Sequence, residues 1–308
     1  MRLASVAARP GTGDLPALPV IGQGTWTMGE RPERRTAEID ALRLGVELGM
    51  RLIDTAELYG AGRTERLVGE AIRDCRDDVF LVTKVWPSHA EPDAVLHAVE
   101  GSLRRLGTER VEVVLLHFPT NSVPIARTWQ GFDAVLSRGL ARYVGASNFS
   151  AADMAAADAA APQGRRLTFH QARYGLDERR AEKAVIPEAL AGGRIFMAYS
   201  PLAHGRLMRH PGFPVLRDLA DRRGVSAERL ALAWSVQRPG IVAIPKASSA
   251  AHVRDNALAG DDILEPAEIA RLEGAFAPAA GPLPGWLPHF GAFFRLAMWG
   301  LRRRFPDA

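Results

Sequence analysis

Eight short apolar runs recur along this 308-residue chain, each closing on a polar side chain and each followed by a longer stretch with room for a helix. They are PVIGQGT (19–25), RLIDT (51–55), DVFLVTK (78–84), VEVVLLH (111–117), ARYVGAS (141–147), LTFHQ (167–171), RIFMAYS (194–200) and GIVAIPK (240–246). None alternates cleanly between apolar and polar residues, so they read as parallel strands covered on both faces. Helical patterns between them include TAEIDALRLGVELG (36–49), EPDAVLHAVEGSLRRLG (91–107), PIARTWQGFDAVLSRG (124–139) and SAERLALAWSVQR (226–238). Strand–helix alternation needs crossover connections. Eight such units predict a closed (β/α)8 TIM barrel of the α/β class, in a single domain.

Local signals agree with this. Thr36 can cap the first helix and Gly49 can close it in the left-handed conformation. In the second, Ala94, Leu96, Val99, Leu103 and Leu106 are expected to share an apolar face, with Gly107 as the stop. Hydrophobic residues at 47% are enough for a substantial core, and a charge of +4 is small for this length. The pI near 9.6 mildly favours anionic ligands, but no basic stripe interleaved with aromatics marks a nucleic-acid surface. The lone Cys75, expected on a helix between Arg73 and Arg76, cannot form an internal disulfide. It reads either as inert or as a thiol activated by those arginines. The N-terminus lacks a signal-length apolar core, so a cytoplasmic protein is expected. No apolar stretch is long enough to span a bilayer.

In a barrel the C-terminal strand ends converge on one mouth. Thr25, Asp54, Lys84, His117, Ser147, Gln171, Ser200 and Lys246 all fall at such ends. Four groups from this region can move a proton to a carbonyl oxygen. Tyr59 is the candidate acid, and a nearby Lys84 ammonium is expected to lower the phenol's pKa. Asp54 can hold Lys84 and keep it charged, while His117 can donate to the carbonyl oxygen. Singly, each has a plainer reading: a turn cap, a rim aromatic, a surface ion pair, a core histidine. The ordered set at strand ends favours the catalytic reading.

At this point the chain resembles the aldo-keto reductase family. GQGTW (22–26), DTAELYG (54–60), TKVWP (83–87), LLHFP (115–119), GASNF (145–149), HQARY (170–174), AYSPL (198–202) and IPKASSAAHVRDN (244–256) follow the family's motifs in order. The likeness covers about residues 15–275, and the N-terminal stretch is most similar to bacterial members acting on small aldehydes and α-dicarbonyls such as methylglyoxal. The resemblance implies an oxidoreductase in which Tyr59 is the acid, Lys84 and Asp54 tune it, and His117 orients the carbonyl. It implies that Ser147, Asn148 and Gln171 hold a nicotinamide carboxamide, that Tyr199 stacks on the ring, and that Ser200, Leu202 and Gly205 belong to a segment over the pyrophosphate. Lys246 and His252 would stand at the adenosine end, with Asn256 at the adenine. No G-x-G-x-x-G opens a helix after a strand, so a Rossmann domain is not the route to the nucleotide.

Members committed to NADPH usually follow this lysine with Ser or Thr and place an arginine six positions after it, where this chain has Ala247 and His252. Histidine is charged only in part near neutrality. Lys246 remains a point charge for phosphate, so NADPH is expected, with NADH possible. Trp26 and Trp86 would wall the substrate site together with His117, and Phe118 stands where the family often has tryptophan.

The barrel is expected over residues 1–277, followed by a divergent extension, 278–308. There HFGAFFRLAMWGLRRRF could form an amphipathic helix serving as substrate lid, packing segment or membrane contact. Membrane contact is the least favoured, because one short helix with few charges binds bilayers weakly. The partner expected is a small carbonyl compound, and the protein is expected to be a monomer or weak oligomer. Two rival readings compete with that of a reductase: a nucleotide-sensing subunit docking through the tail, and a metal-dependent hydrolase. The hydrolase needs more ligands than Asp54 and His117 supply, so no metal is expected.

Overall fold

The computed structural model describes residues 1–5 and 15–277. Its eight-stranded sheet runs in chain order: β1 Gln23–Gly24, β2 Leu52–Asp54, β3 Phe80–Val85, β4 Val111–Leu116, β5 Ala141–Ser147, β6 Phe169–Arg173, β7 Ile195–Tyr199 and β8 Ile241–Ile244. Every neighbouring pair is parallel. The two outer strands meet and close the ring. Gly22 N donates to Ala243 O at 2.8 Å, Ala243 N to Val20 O at 2.8 Å, and Gly24 N to Pro245 O at 2.9 Å. A Cβ on Gly24 would lie 2.6 Å from Ile244 O, so only glycine allows the seam to come this close. The expected barrel is present.

Strands β2 to β8 fall within a residue or two of their expected runs. The first run is divided. Gln23–Gly24 pairs with β2 in the barrel sheet, while Leu18–Pro19 pairs antiparallel with Leu3–Ala4, a division that the sequence reading did not make. All six residues of β4 are buried, as two-sided cover requires. Glu112 is tolerated there because Arg76 Nη2 and the Leu81 amide donate to its carboxylate at 3.1 and 2.7 Å, replacing lost hydration.

Ten α-helices accompany the strands among the described residues: α1 Arg35–Glu47, α2 Arg63–Ile72, α3 Pro92–Leu106, α4 Ile125–Ser137, α5 Ala151–Ala159, α6 Val185–Ala191, α7 Phe213–Arg223, α8 Ala227–Ser235, α9 Ala250–Ala259 and α10 Pro266–Ala275. The four expected helical stretches are α1, α3, α4 and α8. Thr36 is not a cap, because α1 continues from a 3-10 turn begun at Pro32, and Arg34 occupies the cap position. Gly49 has φ +91 and Gly107 has φ +65, as their stop roles require. The core face of α3 passes through Val95, Val99, Leu103 and Leu106. Ala94 and Leu96 are only half-buried, because the stripe is rotated one residue toward the sheet.

Cys75 lies in a bend after α2 rather than on a helix. Burial, and then Asp78, push its thiol pKa up, against the smaller pull of Arg43. This opposes thiol activation. Among the described residues no helix is long and apolar enough to cross a membrane, and no group of three or more His, Cys, Asp or Glu is placed to hold a metal ion. The expected amphipathic segment of 278–308 lies outside the described residues.

Candidate active site

Asp54 ends β2, Lys84 lies near the end of β3, and His117 follows β4 directly, so three neighbouring parallel strands deliver them to one mouth. Tyr59 comes from the loop after β2, just before Gly60, Ala61 and Gly62, which have φ of +55, +54 and +82. Lys84 is wholly buried. Its Nζ donates to Asp54 Oδ2 at 2.7 Å, to Thr55 O at 2.8 Å and to Tyr59 Oη at 3.1 Å, so all three ammonium donors have acceptors.

Burial lowers the Lys84 pKa, while the charge and hydrogen bond of Asp54 oppose the shift. The pairing expected of Asp54 is therefore seen. The pKa expectation for Tyr59 is corrected. Burial, with Asp54 adding to it, pushes the phenol well above its ordinary value, because loss of hydration penalises the phenolate more than the nearby ammonium favours it. His117 is pushed well below its usual range, first by burial and then by Lys84, so its ring is neutral. Its Nδ1 is buried and has no hydrogen-bond partner among the described residues.

Aromatic rings surround this cluster. The Trp26 ring meets Tyr59 edge-on at 5.0 Å between centroids, and Trp86 meets His117 edge-on at 5.4 Å. Phe118 stacks on His117 at 5.2 Å. Trp26 is 44% exposed, unusual for a large aromatic, and forms an open edge of the mouth. Glu57, which sequence reasoning overlooked, holds the segment carrying Trp86. Its Oε1 accepts from the Trp86 amide at 2.6 Å and meets His89 Nδ1 at 2.9 Å.

A second polar network adjoins the first. Asn148 Nδ2 donates to His117 O and to Ser147 Oγ, both at 3.0 Å, and Asn148 Oδ1 accepts from Tyr199 Oη at 2.9 Å. Gln171 Nε2 donates to Asp54 Oδ1 at 2.8 Å. Asn148 holds φ +62 and Ser200 φ +50, and such strain at non-glycine residues persists where surrounding contacts over-determine it. Ser200 Oγ lies 3.0 Å from His204 Nε2 in the turn that contains Leu202 and Gly205. Lys246 is exposed just past β8, with Nζ 3.5 Å from Ser248 Oγ. On α9, His252 is exposed and Asn256 is buried. The structure therefore joins the tetrad, Ser147, Asn148, Gln171 and Tyr199 in direct contact, and leaves Lys246 and His252 on the surface beyond β8.

A profile of the aldo/keto reductase family matches residues 20–276. The chain is 39% identical over 272 residues to the methylglyoxal reductase YeaE of Escherichia coli K12, covering 88% of this chain and 95% of that one. It is 33% identical over 273 residues to the uncharacterized oxidoreductase Rv2298 of Mycobacterium tuberculosis, covering 78% and 84%. An aldo/keto reductase from Klebsiella pneumoniae, solved in complex with NADP and acetate, superposes with TM-score 0.84 at 37% identity, covering 92% of this chain and 98% of that one. The thermostable aldo-keto reductase Tm1743, solved with the inhibitor epalrestat, gives 0.80 at 31% identity, covering 89% and 100%. Fold and relatives together define a (β/α)8 oxidoreductase. The chain belongs to the aldo/keto reductase family.

Proposed function

We propose that this protein reduces small aldehydes and ketones, with methylglyoxal a fitting substrate, using NADPH in preference to NADH. The observation carrying the reading is the buried chain Asp54–Lys84–Tyr59, with contacts of 2.7 and 3.1 Å, beside a neutral His117 under aromatic walls. The E. coli relative's name, methylglyoxal reductase, supports a small dicarbonyl as substrate. The NADP complex of the Klebsiella relative supports the nucleotide.

The residues present suit such a nucleotide. Ser147, Asn148 and Gln171 put hydroxyl and amide groups beside the tetrad, a donor and acceptor set matched to a carboxamide. Tyr199 has its hydroxyl tied to Asn148, which sets its ring beside this group as the one to stack on the nicotinamide. Exposed Lys246 with Ser248 offers a cation and a hydroxyl for a phosphate. When bound, the nucleotide supplies the hydride.

The remaining work falls to the protein's own groups. Burial keeps the Tyr59 phenol protonated, so the acid is loaded at neutral pH. As the carbonyl oxygen gains charge, Tyr59 Oη delivers its proton there. The Lys84 ammonium then steadies the phenolate, and Asp54 keeps that ammonium in place. A neutral His117 can direct an N–H at the same oxygen without competing as an acid. These donors are positioned before reaction, so little reorganisation is needed. Trp86 and Phe118 wall the site beside His117, and Trp26 borders its open edge.

The test is loss of reduced-nicotinamide absorbance with methylglyoxal, run with NADPH and with NADH on wild type and Tyr59→Phe. Consumption that depends on methylglyoxal and disappears in the variant is expected. Undiminished turnover by Tyr59→Phe would remove the proton-donor assignment.

A further inference from the structure

We infer that Glu65, Thr83 and Arg105 form a positioning device that sets Tyr59 against Lys84. Glu65 is wholly buried in the first turn of α2. Its Oε1 accepts from Thr83 Oγ1 at 2.7 Å, and its Oε2 accepts from Arg105 Nε at 2.6 Å. Thr83 precedes Lys84 on β3. The carboxylate thus ties the helix following Tyr59 to the strand that carries Lys84, and both to α3.

The turn between Tyr59 and α2 needs such support. Gly60, Ala61 and Gly62 are left-handed in succession, a conformation that the Cβ of alanine disfavours. Arg105 lies directly on this turn, since a Cβ on Gly62 would stand 2.6 Å from Arg105 Cδ. Arg105 Nη2 is itself steadied by Ser102 Oγ at 3.1 Å. Behind the turn, α2 and α3 approach so closely that a Cβ on Gly69 would be 2.3 Å from Leu106 O. The turn is therefore pressed from one side by Arg105, and α2 is held at the other by Glu65. For an ion pair this buried, desolvation offsets much of the attraction, but the pair suits a fixed geometry beside a proton donor, where a displacement of about 1 Å can cost a hundredfold in rate.

The test compares Thr83→Val and Arg105→Ala with the conservative Thr83→Ser and Arg105→Lys. Thr83→Val keeps the Glu65–Arg105 pair, so it stays informative if Arg105→Ala fails to fold. The first measurement needs no substrate: amide exchange at Tyr59 and Ala61, which donate to Ala56 O and Leu58 O. Exchange there is expected to rise in the disruptive variants and return toward wild type in the conservative ones. The second rests on the reductase reading: kcat should fall about tenfold or more with carbonyl KM little changed, and recover to within about threefold in Thr83→Ser. Unchanged exchange at Tyr59 and Ala61 overturns the inference. So does unchanged kcat in an active enzyme, even if thermal stability falls. An inactive wild type would strike the reductase reading alone, and the exchange measurement would still decide the positioning role.

Discussion

Gln171 donates to Asp54 Oδ1 at 2.8 Å across 117 residues of sequence, while the other oxygen of the same carboxylate holds Lys84 at 2.7 Å. One buried carboxylate therefore joins a residue expected at the nicotinamide to the proposed proton relay. Neither oxygen is spare. A change at Gln171 should accordingly be felt in the chemical step as well as in nucleotide affinity.

Asp54→Asn tests this junction. It leaves the Lys84 ammonium buried without its counter-charge, and breaking a buried pair from one side costs about 3–5 kcal/mol. The variant is expected to unfold at lower denaturant, with an unchanged m-value, and to lose most of its kcat. Chemical denaturation followed by far-UV circular dichroism, alongside steady-state kinetics, measures both.

Tyr59→Phe removes one oxygen and keeps the ring that contacts Trp26 and His117. Loss of general-acid help is worth about 10²–10⁴-fold, so kcat should fall by that order. Nucleotide affinity, read by quenching of tryptophan fluorescence, should stay within about twofold, because no uniform binding interaction is removed.

His170 carries a pH prediction. Its ring is buried against the barrel wall, with Nε2 3.1 Å from Phe149 O, and burial lowers its pKa to about 4. The unfolded value is higher, near 6.5, so between the two the unfolded chain binds more protons. Stability is therefore full above about pH 6.5 and declines as pH falls, by about 3 kcal/mol from this group on reaching pH 4. Neutral His117 acts in the same direction. His170→Gln, which can still donate to Phe149 O, should flatten the decline between pH 7 and pH 5 in thermal unfolding. An identical slope in wild type and variant would exclude His170 as its source.

Lys246→Ala addresses nucleotide choice. The side chain is exposed, so folding should be untouched. A charge-assisted hydrogen bond to phosphate is worth about 1.5–3 kcal/mol, so Kd for NADPH should rise by about tenfold or more, with little change for NADH. Equal weakening of both would remove the basis for preferring NADPH.

Much of this was legible in the chain before folding was considered. The (β/α)8 plan could be read because parallel strands covered on both faces leave short apolar runs, and those runs located seven strands closely. The first misled because Leu18–Pro19 and Gln23–Gly24 share one apolar run but serve different sheets. Asp54, Lys84 and His117 were found because barrel topology puts every strand end at the mouth. Glu57 and Glu65 were overlooked because each sits in a helical or loop context where a carboxylate ordinarily faces water. Their partners, Trp86 and His89 for one and Thr83 and Arg105 for the other, lie 18 to 40 residues away.

The sequence by itself determined the order of the barrel strands and the polar residue at or just past the end of each, because these depend on local periodicity and chain order. Only the tertiary structure decided the protonation of Tyr59, the bridging of Gln171 to Lys84 through Asp54, the rotation of the α3 face and the clamp at Gly62. Those features depend on how much water is excluded and on which distant side chains meet in the space left by packing, and neither is written in the spacing of residues along the chain.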